Sequence, residues 1–307
     1  MKYVFIINPI SGDRNNESDI RRLIENSKYK DKIEVYVTKS AGDATRFVRE
    51  YCSNNDEEVR FVSCGGDGTM NEVANGAMYA LSDGFDADRL SITCFPCGSG
   101  NDLVKTFGGA DKFLNLDALI EAKNCRIDML RVEDKYSINI VNFGFDAYVI
   151  KVLDKLRAKY GHGGKSFYLR GVIKALFNGM HTKCKLYVDD KLVNPEGEAL
   201  LCTLANGQYV GGSFRCAPRA KMDDGLIDVC LVKCVSRLKF IQCVGSYSKG
   251  THLENPHLKS SIYYLQGKKV RVESEEGFSF TLDGELIFKD SFELEIIDGA
   301  LNFAVPA

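Results

Sequence analysis

The stretch Phe61-Val62-Ser63-Cys64-Gly65-Gly66-Asp67-Gly68-Thr69-Met70-Asn71-Glu72 constrains the chain more than any other. A short apolar run ends in three glycines and an aspartate, and a helical pattern over 70–80 follows at once. That order predicts strand, tight loop and helix. Glycines let the backbone approach a ligand closely, and the helix start offers unpaired N–H groups and a partial positive charge to an anion. Phosphate suits such a loop, but Asp67 cannot bind it directly, because like charges repel. A cation or a substrate proton has to lie between them. The loop therefore reads as a site for a nucleotide polyphosphate with Mg²⁺. Alone, Gly-Gly-Asp-Gly is as readily a capped helix start. Two further turns repeat the design. The run 1–8 is followed by Pro9-Ile10-Ser11-Gly12, and the run 90–95 by Pro96-Cys97-Gly98-Ser99-Gly100-Asn101-Asp102, ahead of a helical 103–107. Three such turns after three apolar strands point to the carboxyl end of a parallel sheet, where these sheets bind ligands.

The first 124 residues alternate strand and helix. Strands are expected over 3–8, 33–38, 60–64 and 91–95, and helices over 18–26, 44–52, 69–80 and 100–107, the pattern of a doubly wound parallel α/β domain. Thr38 ends the second strand on the same side of the sheet as the glycine turns, where its hydroxyl could reach the nucleotide; a lone threonine there is otherwise a helix cap. Between 119 and 126 the texture changes. Residues 126–132 and 135–143 alternate apolar and polar around Glu133-Asp134, as antiparallel hairpins do. Strand-like runs follow at 184–188, 199–206, 227–232, 269–273, 278–282 and 292–297. A β-rich domain, a sandwich, is expected over 125–307.

Composition narrows the function classes. With 307 residues, 45% hydrophobic and 27% charged, the chain is long enough for two globular domains. A net charge of -2 gives no global reason to bind nucleic acid. No apolar run approaches bilayer length, and the apolar start is too short for a signal peptide, so a cytoplasmic protein is expected. The eleven cysteines are scattered through apolar strand-like segments and read as reduced small hydrophobes. Cys94 and Cys97 have C-x-x-C spacing, but no second pair completes a zinc site.

Neither a Walker A pattern nor a Gly-x-Gly-x-x-Gly fingerprint is present. Asn8-Pro9-Ile10-Ser11-Gly12, Gly65-Gly66-Asp67-Gly68-Thr69, Pro96-Cys97-Gly98-Ser99-Gly100-Asn101-Asp102 and Leu282-Asp283-Gly284-Glu285 extend in that order over nearly the whole chain. In these blocks the chain resembles the bacterial diacylglycerol kinase and sphingosine kinase-like lipid kinases. NAD kinases and phosphofructokinases carry a similar Gly-Gly-Asp-Gly. The late Asp-Gly-Glu, with Ala205-Asn206-Gly207 and Asp223-Asp224-Gly225, favours the lipid kinases. The resemblance implies an NAD kinase-like α/β domain followed by a β sandwich. It implies ATP as phosphoryl donor, Mg²⁺, and a lipid hydroxyl as acceptor, diacylglycerol giving phosphatidic acid being the leading case. The nucleotide would sit along Asn8, Thr38, Gly65, Gly66, Asp67, Gly68, Thr69, Asn71 and Ser99, with the lipid entering between the two domains. A second, structural Mg²⁺ would be held through Asp224 and the carbonyls of Lys221 and Leu226. From the residues alone, 220–228 is either a cation-binding turn or a solvated one.

Asp283-Gly284 is a strong hairpin signal. In extended backbone, however, Asp283 and Glu285 would point to one face, and with Asp67 across a cleft they would give a kinase a metal anchor and a base. Following the resemblance, Asp283 is assigned as base and Glu285 as its metal-linked partner, while Asp67 handles the phosphate oxygens through Mg²⁺; the roles of Asp283 and Glu285 can be exchanged. Asn101 and Asp102 are expected to shape the cleft. No histidine is assigned to catalysis.

Basic residues concentrate at Lys151, Lys155, Arg157, Lys159, Lys165, Arg170, Lys174, Lys183 and Lys185, opposed by Asp154. They lie on and after two expected helices, 148–160 and 167–177, separated by Gly161-His162-Gly163-Gly164. Each such residue near an anionic leaflet contributes about 1 kcal/mol of attraction. Peripheral contact with the inner membrane face is expected, although a solvated helix face has the same composition. Two other readings stand beside the lipid kinase: an NAD kinase with a soluble dinucleotide acceptor, and a non-catalytic lipid- or nucleotide-sensing module. A homodimer is left open.

Overall fold

A computed structural model describes residues 1–12, 16–160 and 165–307, with all their side chains except those of 157 and 165–169. The expected Gly161–Gly164 spacer and His162 lie outside the described residues. The first lobe runs β1 (Lys2–Ile7), α1 (Asn16–Glu25), β2 (Ile33–Val37), α2 (Asp43–Asn54), β3 (Val59–Gly65), α3 (Asp67–Ser82), β4 (Leu90–Pro96), α4 (Asp102–Thr106) and α5 (Leu116–Glu121). β3 is buried along its whole length and β4 along most of its length, as strands covered by helices on both faces must be. α2 buries Ala44, Val48 and Cys52, one stripe at four-residue spacing. The four strands are parallel in the order β4-β3-β1-β2. The chain leaves β1 to one side for β2 and returns to the other side for β3, so the switch point of the sheet lies between β1 and β3.

The second lobe continues with β5 (Lys123–Val132), β6 (Lys135–Ser137), β7 (Ile140–Gly144), α6 (Phe145–Tyr160), α7 (Lys165–Asn178), β8 (Thr182–Lys183), β9 (Lys185–Val188), β10 (Lys191–Leu192), β11 (Glu198–Ala199), β12 (Leu201–Ala205), β13 (Ile227–Val232), α8 (Arg237–Lys249), β14 (Ile262–Gly267), β15 (Lys269–Leu282) and β16 (Glu285–Val305). Its strands pair antiparallel in the order β14-β13-β12-β7-β15-β16, with β9 along the first part of β15 and β5 along β16. The register of β15 against β16 breaks between Glu273 and Phe278, and the bend there lets the sheet curl over a core of Phe143, Phe280, Phe292, Leu294 and Val270. What the sequence presents as two strands, 269–273 and 278–282, is thus one bulged strand.

β16 joins the lobes. It begins against β15, runs along β5, and ends parallel to β4 with Phe303 opposite Ile92. Leu301 and Phe303 share the first lobe's core with Phe61 and Ile92, as do Ile127 and Met129 of β5. The core is therefore not cut at residue 124, where the sequence texture changes, because the last strand returns to the first sheet. The expected strand 135–143 is interrupted at 138–139, for a reason given below. α8 was absent from the sequence reading, yet Ser236 caps its start by accepting from the Lys239 N–H and Gly250 ends it at φ 73°. All eleven cysteines are unpaired. Among the described residues no helix is long and apolar enough to cross a membrane.

Candidate active site

The three turns meet at the carboxyl ends of β1, β3 and β4. The Asn8 N–H donates to the Cys64 carbonyl at 2.9 Å, and the Cys97 N–H donates to that of Gly65 at 2.8 Å. Asn8 Nδ2 donates to Thr69 Oγ1 at 3.0 Å. Two of the turns touch backbone to backbone: a Cβ on Gly98 would lie 2.5 Å from Gly66 Cα, so no larger residue fits. The first helical bond of α3 runs from the Met70 N–H to the Gly66 carbonyl. The N–H groups of Asp67, Gly68 and Thr69 thus have no partner within the helix, the arrangement that suits an anion. Asn8, Gly65, Gly66, Asp67, Gly68, Thr69 and Ser99 all lie on these turns. Thr38 ends the neighbouring strand, its N–H bonded to the Ile7 carbonyl at 2.9 Å. Asn71 lies one turn further along α3 and faces the second lobe. With its amide oriented by the surrounding donors and acceptors, its nitrogen donates to Asp283 Oδ2 at 2.9 Å.

Asp67 Oδ1 accepts the N–H groups of Asp102 at 2.6 Å and Leu103 at 3.3 Å, capping α4. A Cβ on Gly100 would stand 2.7 Å from Asp67 Oδ2, so Gly100 leaves that oxygen accessible. Burial, then the charge of Asp102, hold the Asp67 carboxyl above its usual range. Lys105 opposes that shift. Its ammonium donates to Asp102 Oδ1 at 2.7 Å and to the Gly212 carbonyl at 2.5 Å, and the Gly212 N–H donates to Asp102 Oδ2 at 2.9 Å. Sequence reasoning missed Lys105; its only signal was a position three residues after Asp102 on one helix face.

The expectation that Asp283 and Glu285 share a face is overturned. Asp283 and Gly284 both have positive φ, 45° and 91°, and form the two-residue turn that pairs Leu282 with Glu285. The hairpin signal prevails because aspartate tolerates the left-handed region and glycine is free to enter it. Glu285 leaves the turn on its exposed side, 2.6 Å from Lys135 Nζ. Asp283 turns inward. Its carboxylate accepts the N–H groups of Ile138 at 2.8 Å, Asn139 at 3.2 Å and Ile140 at 2.9 Å. Those donors are what interrupt the strand at 138–139. Burial pushes the Asp283 pKa up to about 6; the charge of Asp67 adds to this and the backbone donors oppose it. Through Asn71, the Asp283 carboxylate of the second lobe is thus joined to α3 of the first.

Asn206 and Gly207 hold the cradle. Asn206 Nδ2 donates to the carbonyls of Asp128 at 2.7 Å and Ile138 at 2.9 Å. The N–H groups of Asn206 and Gly207 both donate to the Asn139 carbonyl. A Cβ on Gly207 would lie 2.0 Å from Asn139 Oδ1. Gly207→Ala is expected to push the Asn139 amide out of its place, at the cost of its bond to the Tyr209 carbonyl, and to lose about 1–3 kcal/mol of stability, read as a lowered urea midpoint. An unchanged midpoint would show that the cradle is looser than these contacts require.

Asp67 accepts its two backbone donors through Oδ1, and its Oδ2 faces Gly100, so one carboxylate oxygen of the kind that suits a hard cation such as Mg²⁺ stands at the start of α3. At the second expected metal position, Asp224 Oδ1 accepts the Leu226 N–H at 3.1 Å. The wholly buried Asp128 gives both oxygens to N–H groups, of Gly225 at 2.8 Å and Gly299 at 2.7 Å. Burial, with Asp298 and Asp224, raises its pKa. A cation here fits the negative surroundings, and would rest on Asp224 and the main-chain carbonyls of Lys221 and Leu226. His252 is wholly buried with its pKa pushed down to about 4, hence neutral at physiological pH.

Residues 2–132 match the diacylglycerol kinase catalytic domain, and residues 139–305 match the YegS C-terminal NAD kinase beta sandwich-like domain. The chain is 31% identical over 280 residues to a probable lipid kinase YegS-like protein of Chromohalobacter salexigens, covering 89% of this chain and 84% of that protein. It is 29% identical over 286 residues to the diacylglycerol kinase of Bacillus subtilis, covering 91% and 88%. A crystal structure of a diacylglycerol kinase from Bacillus anthracis str. Sterne superposes with a TM-score of 0.71 at 21% identity, over 99% of this chain and 96% of that one, and so shares the two-lobed fold. Both domain types in order, with a relative 31% identical over most of both chains, show that the chain belongs to the YegS and diacylglycerol kinase family of lipid kinases.

Proposed function

We propose that the protein transfers the γ-phosphate of ATP to a lipid hydroxyl, with diacylglycerol as the leading acceptor, phosphatidic acid as the product, and Mg²⁺ held at Asp67. The observation that carries this reading is the contact of Asp283, from the second lobe, with Asn71 of α3, one turn beyond Asp67. Phosphoryl transfer needs the phosphates held, their charge offset and the attacking hydroxyl deprotonated. The α3 terminus and the Gly65–Thr69 and Gly98–Gly100 turns hold the phosphates. Bound Mg²⁺ supplies neutralisation of the phosphate oxygens. Asp283 receives the proton. Its three backbone donors fix its orientation, and the Asn71 amide marks the lone pair that an incoming alcohol would take. A pKa of about 6 leaves it ionised at pH 7 yet more basic than an exposed aspartate.

The acceptor is a membrane lipid, and α7 and α8 carry a surface suited to one. Ile173 and Phe177 lie one turn apart on α7, and Leu238 and Ile241 lie together on α8, each between 46% and 67% exposed. Arg237 ties the helices, its Nε donating to the Leu176 carbonyl at 2.6 Å and its guanidinium 5.2 Å from the Phe177 ring. Lys155, Lys159, Arg170 and Lys174 are exposed nearby on α6 and α7. Lys183 is engaged with Glu276 at 2.6 Å. Apolar side chains that insert and basic ones that attract anionic headgroups together give reversible binding to the inner leaflet. In vesicle sedimentation, binding is expected to weaken with salt and with loss of anionic lipid, and to fall about tenfold or more in Phe177→Asp/Leu238→Asp, since each side chain forfeits roughly 1.5–3 kcal/mol of apolar burial. Insensitivity to both salt and lipid charge would remove the membrane surface.

The test of the whole reading is radiolabelled ATP with lipids in mixed micelles, with Mg²⁺ withheld in a control. Labelled phosphatidic acid that depends on Mg²⁺ is expected. Phosphorylation of NAD without lipid would make the protein a dinucleotide kinase, and no turnover across a broad lipid panel would make it a sensor.

A further inference from the structure

Away from the phosphate turns, three side chains from three separate segments meet where α7 ends. His181 follows α7, Glu198 opens β11, and Cys234 lies between β13 and α8. One ligand atom from each, imidazole nitrogen, carboxylate oxygen and thiol sulfur, lies within 4.8 Å of the other two. Among the described residues no other group of three or more His, Cys, Asp or Glu side chains is so arranged. The two-residue ribbon of β8 and β11, with Thr182 opposite Ala199 and Lys183 opposite Glu198, brings His181 beside Glu198, Nδ1 to Oε2 3.2 Å.

We infer that His181, Glu198 and Cys234 form a Zn²⁺ site, with water in the fourth position. Thiolate, imidazole and carboxylate together select Zn²⁺ over the hard cations Mg²⁺ and Ca²⁺. Bonds of about 2.0–2.3 Å place tetrahedral ligand atoms roughly 3.3–3.8 Å apart, so closure asks for about 1 Å of movement. His181 and Glu198 can supply it, because their side chains are 62% and 41% exposed. Neighbouring lysines do not compete for the carboxylate: Lys183 is paired with Glu276 at 2.6 Å and Lys233 with Glu196 at 2.5 Å. Burial and Glu198 keep the Cys234 thiol protonated, and the metal displaces that proton. An ion here ties the end of α7 to the start of α8, the two helices bearing the exposed apolar residues. The site itself does not depend on the lipid kinase reading.

The experiment is calorimetric titration of the chelator-treated full-length protein with ZnCl₂, together with absorbance of its Co²⁺ complex. One Zn²⁺ per chain is expected, undisplaced by excess Mg²⁺, with a thiolate-to-cobalt charge-transfer band. Cys234→Ser abolishes the band, and Cys234→Ser, His181→Gln and Glu198→Gln each weaken Zn²⁺ binding by about a hundredfold or more. Cys125→Ser, at an exposed cysteine, changes nothing. Folding is controlled by thermal unfolding: Zn²⁺ raises the midpoint of the wild type and not of the variants. Absence of Zn²⁺ binding, or a stoichiometry that survives in His181→Gln/Cys234→Ser, would overturn the site.

Discussion

Asp283→Asn lowers kcat by about 10²–10⁴-fold, the range that a positioned proton acceptor contributes, and leaves ATP binding nearly unchanged. In the proposed arrangement the phosphates rest on the start of α3 and the glycine turns of the first lobe, whereas Asp283 meets α3 one turn further on, at Asn71. Asparagine keeps one acceptor oxygen for the N–H groups of residues 138–140 but cannot take the alcohol proton. The pH profile carries the same signature. Burial raises the Asp283 pKa to about 6, so the ionised base is lost at higher pH than for an exposed aspartate. In the wild type kcat/KM therefore falls as pH drops through about 6, and in Asp283→Asn that limb disappears. Glu285→Gln, on the exposed side of the turn beside Lys135, keeps it. Steady-state kinetics on the three proteins between mildly acidic and neutral pH check this. Wild-type turnover in Asp283→Asn removes the residue from the mechanism.

Asp67→Asn lowers Mg²⁺-supported turnover by about 10²–10³-fold, as loss of one charge-stabilising group does, and raises the Mg²⁺ concentration needed for half-maximal rate. The substitution isolates charge from architecture. Asparagine can still accept the N–H groups of Asp102 and Leu103 through its one oxygen, so α4 stays capped. Asp67→Ala removes charge and cap together and loses a further 0.5–2 kcal/mol or so of stability. Mg²⁺ titrations of rate and urea unfolding of both variants separate the two effects. An unaltered Mg²⁺ dependence in Asp67→Asn would move the metal elsewhere.

The meeting of the glycine turns was legible because its signals are local. Each turn carries its glycines next to the strand it follows, and parallel strands put their carboxyl ends on one side, so the meeting of Asn8, Gly65–Thr69 and Ser99 follows from chain order alone. The acceptor end was not legible in the same way. Asp-Gly announced a turn, but which face it presents depends on β7, β12 and the 138–140 segment, all remote in sequence. An extended reading therefore misplaced Glu285. Lys105 and Asn71 act on partners in other segments, Gly212 and Asp283, and no periodicity reports such pairings. The end of β16 was hidden likewise: an apolar run over 301–305 states that it is buried but not in which sheet. α8 is the opposite case, since Ser236 and Gly250 bound it with local signals that were there to be read.

In the proposed reaction a helix start in one lobe holds the triphosphate and a turn carboxylate in the other takes the proton. Diffraction from crystals grown with a non-hydrolysable ATP analogue and Mn²⁺ tests it most directly, because Mn²⁺ is located by its anomalous signal. Phosphate density is expected on the Gly65–Thr69 turn, with the Mn²⁺ peak beside Asp67 and Asp283 no more than one water molecule from the terminal phosphate. A nucleotide bound away from α3, or an Asp283 that faces protein with no path to that phosphate, would contradict it.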